Sequence, residues 1–585
     1  MKKSLADNRK IQLRRYCMRS ACLFVALVVV VAFAPTGVSD EIPISLEGLL
    51  KSYVDREDPS FEWSIEQDTK TENFRHVQVK LTSQSWLTSQ EVDRTEWRHW
   101  LEIFIPNDHE SDVALLLISG GGNSGGEPKL TSSIGLPIAL VSKTIVAQLS
   151  QVPNQPLEFL NDGKQRSEDD LISFSWTQYL KTKNPEWLAQ APMVKSASRS
   201  MDAVIAVLAS DEIGGIEVDQ FIVAGGSKRG WTTWLTAVVD ERVVAIVPVV
   251  FDVLNMRKSM KHHFSAYGFW SASLGDYVDQ GILRHFESEQ LDSLLEVVDP
   301  YHYLNELDIP KFIVNATGDE FFLLDSSRFY WDALVGPKYL RYVPNADHGM
   351  NGSDALESVA AFVSLVARGK EIPSIEWTRD GSNRIEIRTS HKPIEARIWE
   401  ANNPVNRDFR LLLSTDQSGN PRPRGPVFAS RLLAASSEDG QSFEASVDQT
   451  LSGWTAWTVE FAFEVGLPVP LKLSTDVQVI PTHLPFAEKD FTGDSFITIH
   501  CSKNPANKQD PQTVMEFIDE TIGSPDATHM LVSGRDYYTW KQIGDLQDEG
   551  IALTQFLSSV GYEECLYQLE VGGGPTLPPT LDVSE

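Results

Sequence analysis

Ser227 stands within Gln220–Val239, QFIVAGGSKRGWTTWLTAVV. An apolar, strand-like run leads into Gly225-Gly226-Ser227, and a helix-like run follows at once. A serine on such a strand-to-helix turn has its hydroxyl pushed out of the sheet, as a nucleophile elbow requires. Gly225 and Gly226 lack a Cβ and so permit a tight turn. The start of the following helix offers N–H groups and positive dipole where an oxyanion would form. The common spacing is G-x-S-x-G; here Arg229 takes the last position and Gly230 comes one later.

A nucleophilic serine needs a base, and the base needs an orienting carboxylate. In the order Ser…Asp…His, Asp319 follows the apolar run Lys311–Ala316 and His348 follows Tyr339–Val343. The acid lies 92 residues after the serine, and the histidine 29 after the acid. Both stand just past the C-terminal ends of strand-like runs, where open α/β sheets place their sites. Glu320, Asp325 and Asp347 are rival acids, Asp347 the weakest because it adjoins the histidine in sequence. Gly122-Asn123-Ser124-Gly125-Gly126 is a competing G-x-S-x-G, but Glu127-Pro128 and a polar stretch follow it, not a helix. That loop reads instead as the one that supplies the second oxyanion N–H in α/β-hydrolases. The oxyanion donors expected are therefore the backbone N–H groups of Lys228 and of Gly120, Gly121 and Gly122. The Lys228 and Arg229 side chains read either as solvated helix-start residues or as holders of an acidic substrate group.

Elements able to position these residues alternate along residues 40–368. Val113–Ser119, Gln220–Ala224, Val243–Val250, Lys311–Ala316 and Tyr339–Val343 are short and mostly apolar, as buried parallel strands are. Ser196–Ala209, Gly230–Val239 and Asp354–Ala367 have helical spacing between or after them. The expected class is α/β, with a parallel sheet. A cap of helices is expected over about 252–309, between two of the strands, where aromatics and histidines gather: His262, His263, Phe264, Tyr267, Phe269, Trp270, Tyr277. Trp176, Tyr267 and Trp270 are the expected substrate-binding residues, with Tyr179 beside Trp176; extra core packing is the alternative. From 369 to 484 short runs separated by Gly, Pro, Asn and Ser predict a β-sandwich of immunoglobulin or fibronectin type. These are Ile385–Arg388, Ala396–Trp399, Phe409–Leu413, Ser442–Val447, Trp454–Phe463 and Leu471–Val479. Residues 485–571 predict a small α+β domain, with strands Ser495–His500 and His529–Ser533 and helices Pro511–Ile522 and Ile551–Val560. The Gly- and Pro-rich tail 572–585 is expected to be disordered.

Composition bounds the function. The 585 residues are 42% hydrophobic and 23% charged, a globular balance. The net charge is −30, and −36 without the first 39 residues. So acidic a surface repels phosphate backbones, which argues against a nucleic-acid partner. Residues 1–39 carry a basic stretch, the apolar run Ala21–Ala34 and Gly37-Val38-Ser39 before Asp40. This is the layout of a secretory signal peptide, with Met18 an alternative start. Fourteen apolar residues are short of the ~20 a span needs, though a signal anchor would use the same segment. A secreted or periplasmic protein without stable membrane insertion is expected. Cys501 and Cys565 remain after the signal; they form a staple in an oxidising compartment or stay as free thiols. Neither has metal-ligand spacing, and His262-His263 lacks carboxylate company, so neither metal nor cofactor is expected.

Several strings carry a resemblance: Leu81–Trp86 (LTSQSW), Ser119–Gly126 (SGGGNSGG), Val152–Leu157 (VPNQPL), Pro192–Ser196 (PMVKS), Gly226–Leu235 (GSKRGWTTWL), Gly318–Arg328 (GDEFFLLDSSR) and Tyr339–His348 (YLRYVPNADH). By these the chain resembles the PhoPQ-activated pathogenicity-related protein family, which includes autocrine proliferation repressor-like proteins. The resemblance covers roughly residues 50–480. It implies an α/β-hydrolase-like fold, export, and a link to virulence or envelope stress responses. Gly226 stands where that pattern has Ala, and the residues after about 485 exceed it. The elbow also resembles that of glucuronoyl esterases locally. Two functions follow as expectations. One is an exported serine hydrolase cleaving an ester or amide of a small-molecule, peptide or glycan-ester substrate. The other is a non-enzymatic secreted binding or signalling protein on the same scaffold, since a fold does not guarantee activity.

Overall fold

A computed structural model describes residues 46–488, apart from 269, 405, 416–420, 425, 449 and 451, together with four later strands. The segment expected to be a signal peptide, the helices expected at Pro511–Ile522 and Ile551–Val560, the tail, and Phe269 lie outside the described residues.

Nine strands form one mixed sheet: β1 (Glu62–Lys70), β2 (Phe74–Ser85), β3 (Glu96–Pro106), β4 (Val113–Ile118), β5 (Val146–Leu149), β8 (Gln220–Gly226), β9 (Val243–Val249), β10 (Lys311–Ala316) and β11 (Lys338–Val343). Its order is β1-β2-β3-β5-β4-β8-β9-β10-β11. The six strands from β5 to β11 run parallel, and the first three are antiparallel. A hairpin of β6 (Leu157–Phe159) and β7 (Lys164–Arg166) lies outside this sheet.

Helices cover both faces, which explains why the central strands are mostly apolar and buried. They are α1 (Leu46–Asp55), α2 (Gly135–Ser142), α3 (Glu168–Thr182), α4 (Gln190–Ala209), α5 (Lys228–Val239), α6 (Met256–Tyr267), α7 (Gly275–Asp279), α8 (Glu289–Val298) and α9 (Ala355–Ala367). Alternate residues of β4 show the division. Ala114, Leu116 and Ile118 join a core with Val204 of α4 and Trp234 of α5. Val113, Leu115 and Leu117 join the opposite core with Ile138 of α2 and Phe362 of α9. Between β9 and β10 the chain forms α6, α7 and α8. No helix among the described residues is long and apolar enough to cross a membrane.

The later segment is β-rich. β12 (Ile375–Arg379), β13 (Arg384–Thr389) and β18 (Ser442–Ser446) form one sheet. β14 (Glu395–Asn403), β17 (Ala429–Leu432), β19 (Trp454–Phe463), β20 (Leu471–Ser474) and β21 (Gln478–Ile480) form another, and β15 (Leu412–Thr415) pairs with β16 (Pro421–Arg424). Inward residues of both larger sheets, Ile387 and Phe443 against Val459 and Phe461, share the core of α9. Two strands differ from expectation. Phe409–Leu411 leave the sheet because Leu411 N donates to Gly318 O (2.8 Å). Leu471–Val479 is two strands, interrupted where Thr475 N donates to Val459 O (2.9 Å). Beyond residue 488, β22 (Ser495–Lys503), β23 (Thr528–Val532), β24 (Arg535–Lys541) and β25 (Glu563–Val571) form an antiparallel sheet whose register sets Cys501 opposite Cys565.

Candidate active site

Ser227 is the single residue between β8 and α5, with φ 57° and ψ −125°. A non-glycine residue in such a conformation costs about 1–3 kcal/mol, so the surroundings must hold it. Ser227 N donates to Val249 O (2.8 Å), and Trp231 N donates to Ser227 O (3.0 Å). α5 rises so close to β8 that a Cβ at Gly225 would lie 2.6 Å from Arg229 O. One at Gly230 would lie 3.0 Å from Val249 O. Gly226 has nothing within 4 Å of such a Cβ. The turn therefore depends on Gly225, not on both glycines before the serine.

The three candidates from distant segments meet here. Ser227 Oγ is 2.8 Å from His348 Nε2, and His348 Nδ1 is 2.8 Å from Asp319 Oδ2. The other Asp319 oxygen accepts the N–H groups of Phe321 (2.7 Å) and Phe322 (3.1 Å), which fixes the carboxylate. The Phe321 ring lies 4.3 Å from the imidazole. Burial works to lower the His348 pKa, but the Asp319 charge and hydrogen bond, with Glu320 nearby, outweigh it and hold the imidazole above its usual range. The rival acids are otherwise engaged. Glu320 accepts the backbone N–H of His348 (3.0 Å). Asp325 is buried against His262 (2.9 Å), Arg328 (3.0 Å) and Arg407 (2.5 Å). Asp347 makes no hydrogen bond to the His348 ring. Ser124 is exposed on its loop, with no histidine bonded to it among the described residues.

The backbone N–H groups of Gly120, Gly121 and Gly122 donate to no protein acceptor among the described residues. Lys228 N–H, at the first position of α5, has no acceptor within its own helix. These are donors available to an anion. The loop is fixed from behind by a cluster of charges. Arg229 donates from both terminal nitrogens to Glu168 (2.8 and 2.9 Å) and from Nε to Val152 O (2.5 Å). Gly120 lies against that guanidinium, 2.6 Å from where a Cβ would stand. Gln155 binds Glu168 through its side chain, and its carbonyl accepts Asn123 N–H (2.5 Å). Lys228 Nζ, buried, reaches Glu168 (2.9 Å) and Asp169 (3.1 Å). Burial would raise the Glu168 carboxyl, but Arg229 and Lys228 pull it down to about 2. Lys228 and Arg229 are thus neither solvated nor open to a substrate group. The three acids of Glu168-Asp169-Asp170, opening a helix, were the available signal for this partnership.

A cavity of about 70 Å³ reaches Ser227, lined by Trp176, Trp231, Phe251, Tyr277, Phe286, Phe322 and other mainly apolar side chains. Trp176 stands where expected. Tyr267 and Trp270 do not line this cavity. Met256 and Met260 carry the lining face of α6, whereas Tyr267 lies two turns farther, packed under Arg410 (4.8 Å). Trp270 is fully buried and stacks on His263 (5.6 Å). A further buried acid escaped the sequence. Asp252, just past β9, accepts the hydroxyls of Tyr330 (2.7 Å) and Tyr342 (2.6 Å). Burial pushes its carboxyl up to about 7 against those two hydrogen bonds. Its position directly after an apolar strand was the available signal. No cluster of His, Cys, Asp or Glu able to hold a metal occurs among the described residues.

The arrangement can be set beside known proteins. The chain is 33% identical over 470 residues to autocrine proliferation repressor protein A of Dictyostelium discoideum, covering 75% of this chain and 91% of that protein. Its structure is similar in part to an acetyl xylan esterase from Paenibacillus sp. R4 (17% identity, 53% of this chain and 90% of that one, TM-score 0.36). It is likewise similar in part to acetyl xylan esterase 1 from Thermoanaerobacterium sp. JW/SL YS485 (12% identity, 55% and 93%, TM-score 0.37). The family model described as PhoPQ-activated pathogenicity-related protein matches residues 50–410, a span that contains Ser227, Asp319, His348, the glycine loop and the charged residues behind it. The chain belongs to the PhoPQ-activated pathogenicity-related protein family.

Proposed function

We propose that this protein is an exported serine hydrolase on an α/β-hydrolase-like scaffold, cleaving carboxylic esters or amides. One observation carries the reading above the others: a strained serine at a strand-to-helix turn, 2.8 Å from a histidine that is itself 2.8 Å from a buried aspartate. In this mechanism Ser227 Oγ attacks the substrate carbonyl while His348 Nε2 takes its proton. The Lys228 and Gly120–Gly122 N–H groups receive the oxyanion, and such donors are worth about 3–4 kcal/mol each in comparable sites. His348 returns the proton to the leaving alcohol or amine, leaving an acyl-serine. Water, deprotonated by the same histidine, then releases the acid and restores Ser227. Asp319 keeps the imidazole tautomer and stabilises the imidazolium. Export rests on the basic start, the apolar run Ala21–Ala34 and the small residues before Asp40.

The test is covalent labelling with a fluorophosphonate together with an ester and amide panel. Wild-type protein is expected to label and turn over, Ser227→Ala to do neither while staying folded, and Ser124→Ala to keep the label. Label that survives Ser227→Ala overturns the assignment. Absence of both label and turnover in folded wild type favours a binding protein on this scaffold.

A further inference from the structure

The cavity beside Ser227 is both apolar and closed in charge. Its wall holds two tryptophans, four phenylalanines and two methionines. The ionic groups at its edge are Lys228 and Asp169, and they neutralise each other at 3.1 Å. Lys228 also meets Glu168, and the second Asp169 oxygen accepts the Tyr277 hydroxyl (3.1 Å). No cation is left over for a substrate carboxylate, and no anion for a substrate amine. Burying either charge without a partner would be costly, so the group that enters is uncharged.

Volume then limits its size. A cavity of about 150 Å³ accepts benzene, which is roughly 25 Å³ per carbon. At about 70 Å³ the space beside Ser227 admits close to three carbons. We infer that this pocket receives the alkyl part of a short, uncharged acyl group, from acetyl to butyryl, so that the substrates are esters of short-chain fatty acids. This rests on the serine hydrolase reading. Acylation of Ser227 by such an ester breaks the acyl C–O bond, and the leaving alcohol takes the proton held by His348. Medium-chain and aromatic acyl groups overfill this space and extend through its open side, off the apolar wall. Phe286 and Leu283, from the segment between β9 and β10, form part of that wall at a distance from the triad in sequence.

The experiment measures kcat/KM of the whole secreted chain on p-nitrophenyl acetate, butyrate, hexanoate, octanoate and benzoate, with fluorophosphonate labelling in parallel. The expected optimum lies at acetate or butyrate, with a loss of at least about tenfold at octanoate and benzoate, since each misplaced methylene commonly costs that much. Phe286→Ala should move the optimum toward hexanoate or octanoate; Leu283→Ala serves if the first variant does not fold. An optimum at octanoate or benzoate, in protein that labels at Ser227, overturns the short-acyl inference and leaves the hydrolase reading intact. So does an unchanged chain-length profile in a folded wall variant. Protein that neither labels nor turns over any ester removes the reading and this inference with it.

Discussion

Gly225 and Gly226 look alike in sequence and stand differently in the structure, and that difference can be measured. A Cβ at Gly225 would meet Arg229 O at 2.6 Å and its carbonyl carbon at 2.7 Å. Ordinary contacts begin at 3.4 Å, so Gly225→Ala forces the first turn of α5 away from β8 by about 0.8 Å. The obstructing atoms belong to backbone and cannot rotate aside. Ser227 sits on the moving turn, and a displacement near 1 Å in a reacting group costs on the order of 10²-fold in rate. Overpacking of this kind also destabilises by about 1–3 kcal/mol. Gly226→Ala meets nothing within 4 Å and is expected to leave both rate and stability within about 0.5 kcal/mol of wild type. The assay is kcat/KM on a short-chain ester together with urea unfolding of both variants. Equal behaviour of the two variants, or a larger loss at Gly226, would refute the argument from close approach of α5.

Activity should fall as pH drops through the His348 pKa, which lies above the usual imidazole value, because the base must be neutral. The stability from the same charged pair runs the other way: it is full below the unfolded pKa and lost as pH rises through the folded one, so Asp319→Asn should narrow the stability gap only at acidic to neutral pH. Glu168→Gln removes a carboxylate held at about 2; discounted for its partial exposure, the loss is roughly 1–2 kcal/mol, constant above about pH 5 and shrinking as pH falls toward 2, read by urea unfolding across pH. A gap that persists unchanged at pH 2.5 would contradict it. Asp252, with a folded pKa raised to about 7, makes stability decline as pH rises from about 4 to 7; Asp252→Asn should flatten that decline, and thermal melts that keep the wild-type slope would count against it.

The candidate triad was legible because each member lies within five residues of the end of a mostly apolar strand. Lys311–Ala316 appears as a strand over the residues the sequence assigned to it, since all its positions are buried and the apolar run Phe312–Val314 marks its centre. The antiparallel edge was harder. β2 reads FRHVQVKLTSQS, yet His76, Gln78, Ser83 and Gln84 are buried there. Gln84 is satisfied by Tyr53 (3.1 Å) and by Pro192 O (2.7 Å), partners no local pattern can announce. The Arg229–Glu168 pair escaped for the same reason, being 61 residues apart. Aromatic richness around 262–277 was plain, but composition does not say which side of α6 a ring takes. Met260 and Tyr277 face the cavity, whereas Tyr267 and Trp270 pack elsewhere.

The loops that carry Asp319 and His348 lean on the β-rich segment. Leu411 presses on Gly318, leaving no room there for a Cβ. Asn345 and Phe428 exchange two hydrogen bonds (2.7 and 2.9 Å), and buried Arg407 anchors Asp325. The join near residue 370 is therefore no seam along which the chain can be cut or recombined. A shortened gene ending after α9 would keep the serine and the histidine but lose the scaffolding that aims one at the other. The smallest heritable module that preserves the constellation extends at least through Phe428, and insertions tolerated elsewhere on the surface should be purged beside Arg407, Leu411 and Phe428.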